Sequence, residues 1–146
     1  MTQQRNFNPQ IWGKGTWDLI HLVAMSYPST PSNRDKQNYR NFYVGLGDVL
    51  PCAKCRKNYR DHCLRHNIDQ FLSNDQDLIE WTVRIRNCVE RNIGRNPKFS
   101  SRGIQSYYNR LQSAASKSVW NPLNLQSGPL MICAGAALAV TGIFLS

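Results

Sequence analysis

The chain has no acidic residue before Asp18 or after Glu90, and no cysteine in residues 1–51 or 89–132. It also shows no strict alternation of apolar and polar residues, which argues against a β-sandwich or barrel. Residues 1–10 (MTQQRNFNPQ) lack the apolar run of a secretory signal. A secreted disulfide scaffold is therefore not expected, and Cys52, Cys55, Cys63, Cys88 and Cys133 need another explanation. Disorder is excluded too: 41% of the residues are hydrophobic, and 4 Trp, 6 Tyr and 5 Phe can fill a core. A length of 146 residues suits one compact domain.

Eighteen Lys and Arg against nine Asp and Glu give a net charge of +9. Arg91, Arg95, Lys98, Arg102, Arg110 and Lys117 have no acid near them in sequence after Glu90. Such a tail suits nucleic acid or an anionic membrane surface. Leu130 to Leu145 (LMICAGAALAVTGIFL) favours the membrane, being 16 residues without a charge. As a helix it would span about 24 Å, short of the ~30 Å hydrocarbon core unless the bilayer thins or the flanks extend it. The alternative is a buried C-terminal helix. With the basic flank on the cytoplasmic side, an anchored domain is expected to face the cytoplasm, from a host or a virion membrane.

Apolar residues recur at helical spacing four times. Residues 12–26 put Trp17, Ile20, His21 and Ala24 on one face, and Tyr27-Pro28 closes the stretch. Ser32 is the expected N-cap of a second helix, with Tyr39, Phe42, Tyr43, Leu46 and Val49 as its stripe. Pro51 is expected in the first turn of a third, which carries Cys52, Cys55, Tyr59, His62, Cys63 and His66. Ser73 and Gln76 form a capping-box pattern before a fourth, with Leu78, Trp81, Thr82, Ile85, Cys88, Val89 and Asn92, ended by Gly94. Residues 101–113 are expected as a short fifth helix. The expected fold is all-α: an antiparallel four-helix bundle with that fifth helix, plus a C-terminal hydrophobic helix. The expected plan is a flexible arm at 1–10, the helical domain at 11–113, a linker at 114–129 and a membrane anchor at 130–146.

Cys52-Ala-Lys-Cys55 at a helix start combines two thiols with partial positive charge from the helix and with Lys54, Arg56 and Lys57. These features lower a thiol pKa and suit a dithiol/disulfide exchanger. The same spacing also suits half of a metal site. Cys52, Cys55, His62 and His66 on one straight helix would stretch over about 21 Å, too far for one tetrahedral zinc. A set using Cys52, Cys55 and Cys88 stays open, but no metal is expected. Cys63 and Cys88 lie on apolar stripes, as buried hydrophobes or as a pair bridging two helices.

Trp12-Gly13-Lys14-Gly15-Thr16-Trp17, then His21 and Tyr27-Pro28, resembles the WGxxxW…H…YP opening of the Erv/ALR family of FAD-linked sulfhydryl oxidases. Pro51-Cys52-Ala53-Lys54-Cys55 with Tyr59 is similar to that family's PCxxC…Y, and Trp81 to Gly94 (WTVRIRNCVERNIG) resembles its WxxxxHNxVNxxLG helix. The blocks keep their order over residues 11–100. Size and C-terminal tail look most like the single-domain versions of large cytoplasmic DNA viruses. The resemblance implies a helical bundle with FAD at its mouth, as a homodimer. It makes Cys55 the flavin-proximal cysteine and Cys52 the interchange cysteine. Trp17 and His21, at i and i+4, would face flavin and adenine. Gly13 would allow close approach of the cofactor, and Lys14, Arg91 and Arg95 would sit near its phosphates. Tyr59 and Trp81 would be flavin wall or core, and Asn87 is kept from the adenosine motif.

Arg86 stands where the family has a stacking His, and can lie flat on adenine. Glu90 replaces an Asn. The family's bridge across the end of the fourth helix is missing: Val83 stands at its first site and Ser100-Ser101 near its second. Without a shuttle cysteine pair in these stretches, direct use by thiol-containing protein substrates, or by a separate thiol carrier, is expected. The implied reaction joins two thiols into a disulfide and passes electrons through the cysteine pair and flavin to molecular oxygen, giving hydrogen peroxide. That would serve oxidative folding of viral proteins in the cytoplasm, with no nucleic acid as partner. Two rivals are a zinc-stabilised basic nucleic-acid-binding module and a catalytically inactive membrane-tethered structural protein.

Overall fold

The computed structural model describes residues 5–117. Helix α1 runs Pro9–Met25, α2 Asn33–Val49, α3 Ala53–Arg65, α4 Asp75–Asn92 and α5 Ser101–Lys117, with a 3₁₀ turn at Ile68–Phe71 before α4. Each start has a local cause. Asn8 caps α1 and Pro9 takes its first turn, so the helix opens earlier than the apolar stripe from residue 12 suggests. Ser32 caps α2 as expected, in a reciprocal box with Asp35. Helix α3 begins two residues later than expected, at Ala53: Cys52 is its extended N-cap, and Pro51 lies outside the helix. At α4 the cap is Asn74, not Ser73, because Asn74 Oδ1 accepts the Asp77 N–H at 2.9 Å. Gly94 follows the end of α4 with φ +76°, a left-handed turn that suits glycine.

The core gathers Ile20, Ala24, Tyr27, Tyr43, Tyr59, Ile68, Leu72, Leu78, Trp81 and Ile85. Its large rings carry polar tips, and each tip finds a carbonyl on another segment. Tyr43 donates from α2 to Ile20 C=O of α1 at 2.9 Å, and Tyr59 from α3 to Tyr43 C=O at 3.0 Å. Tyr27 donates to Leu72 C=O at 3.0 Å, and Trp81 from α4 to His66 C=O at 2.7 Å. Each such bond contributes about 1 kcal/mol net, while an unpaired buried hydroxyl would cost more. Together they fix the rotation of α1, α2 and α3 around Trp81, whose ring meets Tyr43 edge-on at 5.2 Å.

The fifth helix is not short. It has 17 residues, as many as α1. Ser100 accepts the Gly103 N–H at its start. Ile104 and Tyr108 bury against Val83 of α4, with Met25 and Phe99 packed around them. Tyr108 donates to Asp18 of α1 at 2.7 Å, and Ser101 donates to Glu80 of α4. Helix α5 thus takes in residues 114–117, which were expected to open the linker; the rest of that linker and the Leu130–Leu145 segment, within 118–146, lie outside the described residues.

Candidate active site

Cys52 and Cys55 are joined in a disulfide across the first turn of α3, with Cα atoms 5.1 Å apart. The Cys55 N–H donates to Cys52 Sγ at 3.1 Å, so a sulfur takes the place of a capping oxygen. Cys55 reaches the wall of a cleft of about 650 Å³, and Cys52 does not. The cleft runs between the start of α1, α3 and the end of α4. Trp12 and Trp17 line it from α1, Cys55, Asn58 and Tyr59 from α3, and Arg86, Val89 and Glu90 from α4. These faces follow from helical spacing: Cys55, Asn58 and Tyr59 stand at i, i+3 and i+4, and Arg86, Val89, Glu90 and Ile93 at i, i+3, i+4 and i+7.

The expected site residues divide into three groups. Gly13, Lys14, Trp17, Tyr59, Arg86 and Arg95 line the cleft with Cys55. His21 and Asn87 stand behind its wall. Trp81 and Arg91 are elsewhere: Trp81 is fully buried in the core, and Arg91 is on the surface, its guanidinium 3.6 Å from Cys88 Sγ. The indole of Trp81 is held away from the cleft by its bond to His66 C=O. Trp12, Asn58 and Asn92 line the cleft without having been singled out as site residues. The i+3 step from Cys55 was the signal for Asn58.

His21 is fully buried and stacks on Trp17, rings 5.9 Å apart. Its Nδ1 lies 3.1 Å from Thr82 Oγ1, whose own proton goes to Ile79 C=O. The network therefore assigns the imidazole proton to Nδ1 and leaves Nε2 as a buried acceptor without a partner. Burial, helped by the nearby Arg86 charge, lowers the His21 pKa to about 4, so the ring is neutral at pH 7.

Arg86 lies over Phe99 at 3.6 Å and over Trp17 at 5.5 Å. Asn87 fixes Phe99 in place by donating to its carbonyl at 3.0 Å. One face of the guanidinium is thus already covered by a ring of this chain, a position where adenine was expected. Burial pushes the Arg86 pKa down from its usual value, with Glu90 opposing. Its Nε is buried with no partner. Glu90, which stands where the family pattern has an Asn, pairs with Arg95 at 3.6 Å. Lys14 pairs with Asp18 at 2.9 Å. Burial pushes the Asp18 carboxyl up, but the bonds from Lys14 and Tyr108 outweigh it and hold it low.

Both other described cysteines are free. Burial pushes the Cys63 thiol up to about 11, so it stays protonated. Cys88 Sγ lies 3.5 Å from His66 Nε2.

The donor set fits a flavin dinucleotide. Apolar ring faces suit an isoalloxazine, and the unpartnered Arg86 Nε, with Lys14 and Arg95 bordering the same cleft, suits an anionic group.

The Erv1 / Alr family model matches residues 14–109, more than half of the chain. A protein of Acanthamoeba polyphaga mimivirus named "Probable FAD-linked sulfhydryl oxidase" is 39% identical over 89 residues, which cover 60% of this chain and 62% of that protein. The mitochondrial FAD-linked sulfhydryl oxidase of Saccharomyces cerevisiae is 32% identical over 87 residues, covering 60% of this chain and 44% of that protein. The chain thus matches less than two thirds of the length of either relative. Among solved structures, the FAD binding domain of Erv1 from Saccharomyces cerevisiae superposes with a TM-score of 0.62 at 26% identity, covering 69% of this chain and 93% of that one.

Two outcomes follow from the cleft. Because the unfolded chain protonates His21 near pH 6.5 and the folded chain near 4, the neutral ring favours folding above the higher value. That contribution is lost as pH falls from 6.5 toward 4, by up to about 3 kcal/mol. Denaturant unfolding of ligand-free protein across this window checks it, and stability that stays flat would refute the buried neutral ring. Arg86→Gln is expected to weaken FAD binding by about tenfold or more, as loss of a charged hydrogen bond does. Riboflavin, which lacks the pyrophosphate, is expected to lose less; equal losses would place Arg86 away from the phosphates.

Proposed function

The chain belongs to the Erv1 / Alr family, and we propose that it works as an FAD-dependent thiol oxidase that forms disulfides in protein substrates. The observation that carries this reading is the placement of the Cys52–Cys55 bond, with Cys55 on the cleft wall and Cys52 off it. A substrate thiolate attacks Cys52 Sγ, the Cys52–Cys55 bond breaks, and Cys55 leaves as a thiolate. The positive end of the α3 dipole favours that leaving charge. A second substrate thiolate then attacks the substrate sulfur of the mixed disulfide and releases Cys52. The substrate has lost two electrons and two protons, and the cysteine pair has gained the electrons. FAD, when bound in the cleft that Cys55 lines, would supply the two-electron acceptor for the reduced pair, with molecular oxygen as the final acceptor and hydrogen peroxide as the product.

The remaining residues bind and shield. Trp17 presents one ring face to the cleft, with the neutral His21 stacked behind it. Arg86 and Arg95 supply positive charge for the pyrophosphate, and Lys14 adds to it at the rim. Asn87 acts through Phe99 to hold Arg86. Tyr59 closes the floor while its hydroxyl is spent on α2.

Several finer points belong to the same reading. Substrates are thiol-containing proteins, reached directly or through a separate carrier. The mimivirus relative supports a viral setting. Ile11, Leu19 and Leu22 leave an exposed apolar stripe on α1, with Val44 on α2 also exposed, which supports a homodimer. Among the described residues no helix is long and apolar enough to cross a membrane. An anchor therefore rests on Leu130–Leu145 alone, with the catalytic domain facing the cytoplasm.

Cys55→Ser is expected to abolish oxygen consumption with dithiothreitol while the folded protein still binds FAD, read from its visible flavin band. A folded but colourless variant would give Cys55 a binding role instead. Removing residues 118–146 is expected to leave a soluble chain with full dithiothreitol oxidase activity; an aggregated product would place Leu130–Leu145 in the core.

A further inference from the structure

The residues on either side of Cys52 are paired with a distant part of the chain. Cys52 is extended, at φ −151° and ψ 117°. In an extended residue the flanking groups, the C=O before it and the N–H after it, point to one side. The residue's own N–H and C=O point to the other. Here the Cys52 N–H goes to Leu50 C=O, and its C=O accepts from Arg56 N–H. The outward pair, Pro51 C=O and Ala53 N–H, is met by the segment before α1. Phe7 N–H donates to Pro51 C=O at 2.7 Å, and Asn6 Oδ1 accepts the Ala53 N–H at 2.9 Å.

This is the hydrogen-bonding edge of a one-residue strand centred on the exchange cysteine. The arm fills it imperfectly. A true strand partner would offer a backbone carbonyl to Ala53, but a side-chain amide stands in for it. The Phe7 carbonyl is instead taken by Trp12 Nε1 at 3.2 Å. Asn6 and Phe7 are both exposed, so little apolar burial holds them there.

We propose that Pro51 and Ala53 form a docking edge for an extended, cysteine-bearing segment of the substrate protein, which displaces Asn6 and Phe7 and pairs by its own backbone. The substrate's N–H takes Pro51 C=O, and its carbonyl takes the Ala53 N–H. That pairing carries the substrate sulfur alongside Cys52 Sγ. Backbone pairing of this kind reads an extended conformation and tolerates varied side chains. The proposal deepens the thiol-oxidase reading by naming the form in which its substrate binds.

The test compares the FAD-loaded full chain with Asn6→Ala and with a chain lacking residues 1–7, which keeps the Asn8 cap of α1. One probe is a fluorescent extended peptide with Ser in place of Cys, so that binding needs no turnover. Both variants are expected to bind it more tightly by about fivefold, the effect of removing one competing hydrogen bond. A backbone N-methylated copy of the peptide is expected to show no gain. For the Cys-containing peptide, the ratio of its kcat/KM to that of dithiothreitol is expected to rise in parallel. Unchanged or weaker peptide binding in Asn6→Ala, or an equal gain for the N-methylated copy, would overturn the docking edge. Absence of dithiothreitol oxidation in the unaltered chain would instead overturn the oxidase reading, with peptide binding still deciding the edge.

Discussion

The first turn of α3 sets the geometry on which the rest depends. A helix start leaves amides without partners, and this one satisfies an amide with sulfur from Cys52. Because Cys52 is still extended while Cys55 is already helical, the two sulfurs meet different surroundings although they are bonded. One faces the cleft and the other the rim. Had the helix begun at Pro51, both cysteines would have stood inside it, and the rim position with its flanking strand-like groups would not exist.

The cleft is built so that charge and ring faces share one wall. A guanidinium taken half out of water loses hydration, and Arg86 recovers part of it from Phe99 and Trp17. Glu90 then balances the cations from the same helix, through Arg95 and through its field at Arg86. The exchange of His and Asn for Arg and Glu at these two positions adds charges of opposite sign together.

Helix order, the Ser32 cap, the Gly94 stop and most core residues were legible because local spacing dictates them. The cleft wall was legible where motif and helical face agree, as at Trp17, Tyr59 and Arg86. Trp81 was ambiguous because an aromatic at helical spacing packs equally well against protein or cofactor; only its bond to His66 C=O decides. The last turn of α5, beyond residue 113, was missed because its described side chains are exposed, so no buried apolar position marks it. Pairing of Asn6 with Ala53 joins residues far apart in sequence, and no periodicity signals it.

Among the described residues the Cys52–Cys55 bond is the only disulfide, and its partners are separated by 3 positions. So small a ring ties no helix to another and restricts the unfolded chain little. Where the family pattern has a bridge, α5 is held by Val83, Ile104 and Tyr108 and by bonds to Asp18 and Glu80. Scaffold and working bond are therefore chemically insulated from each other. Surroundings rich in reducing thiols can open the exchange pair without loosening any tertiary contact, so the bundle keeps its shape in either redox state.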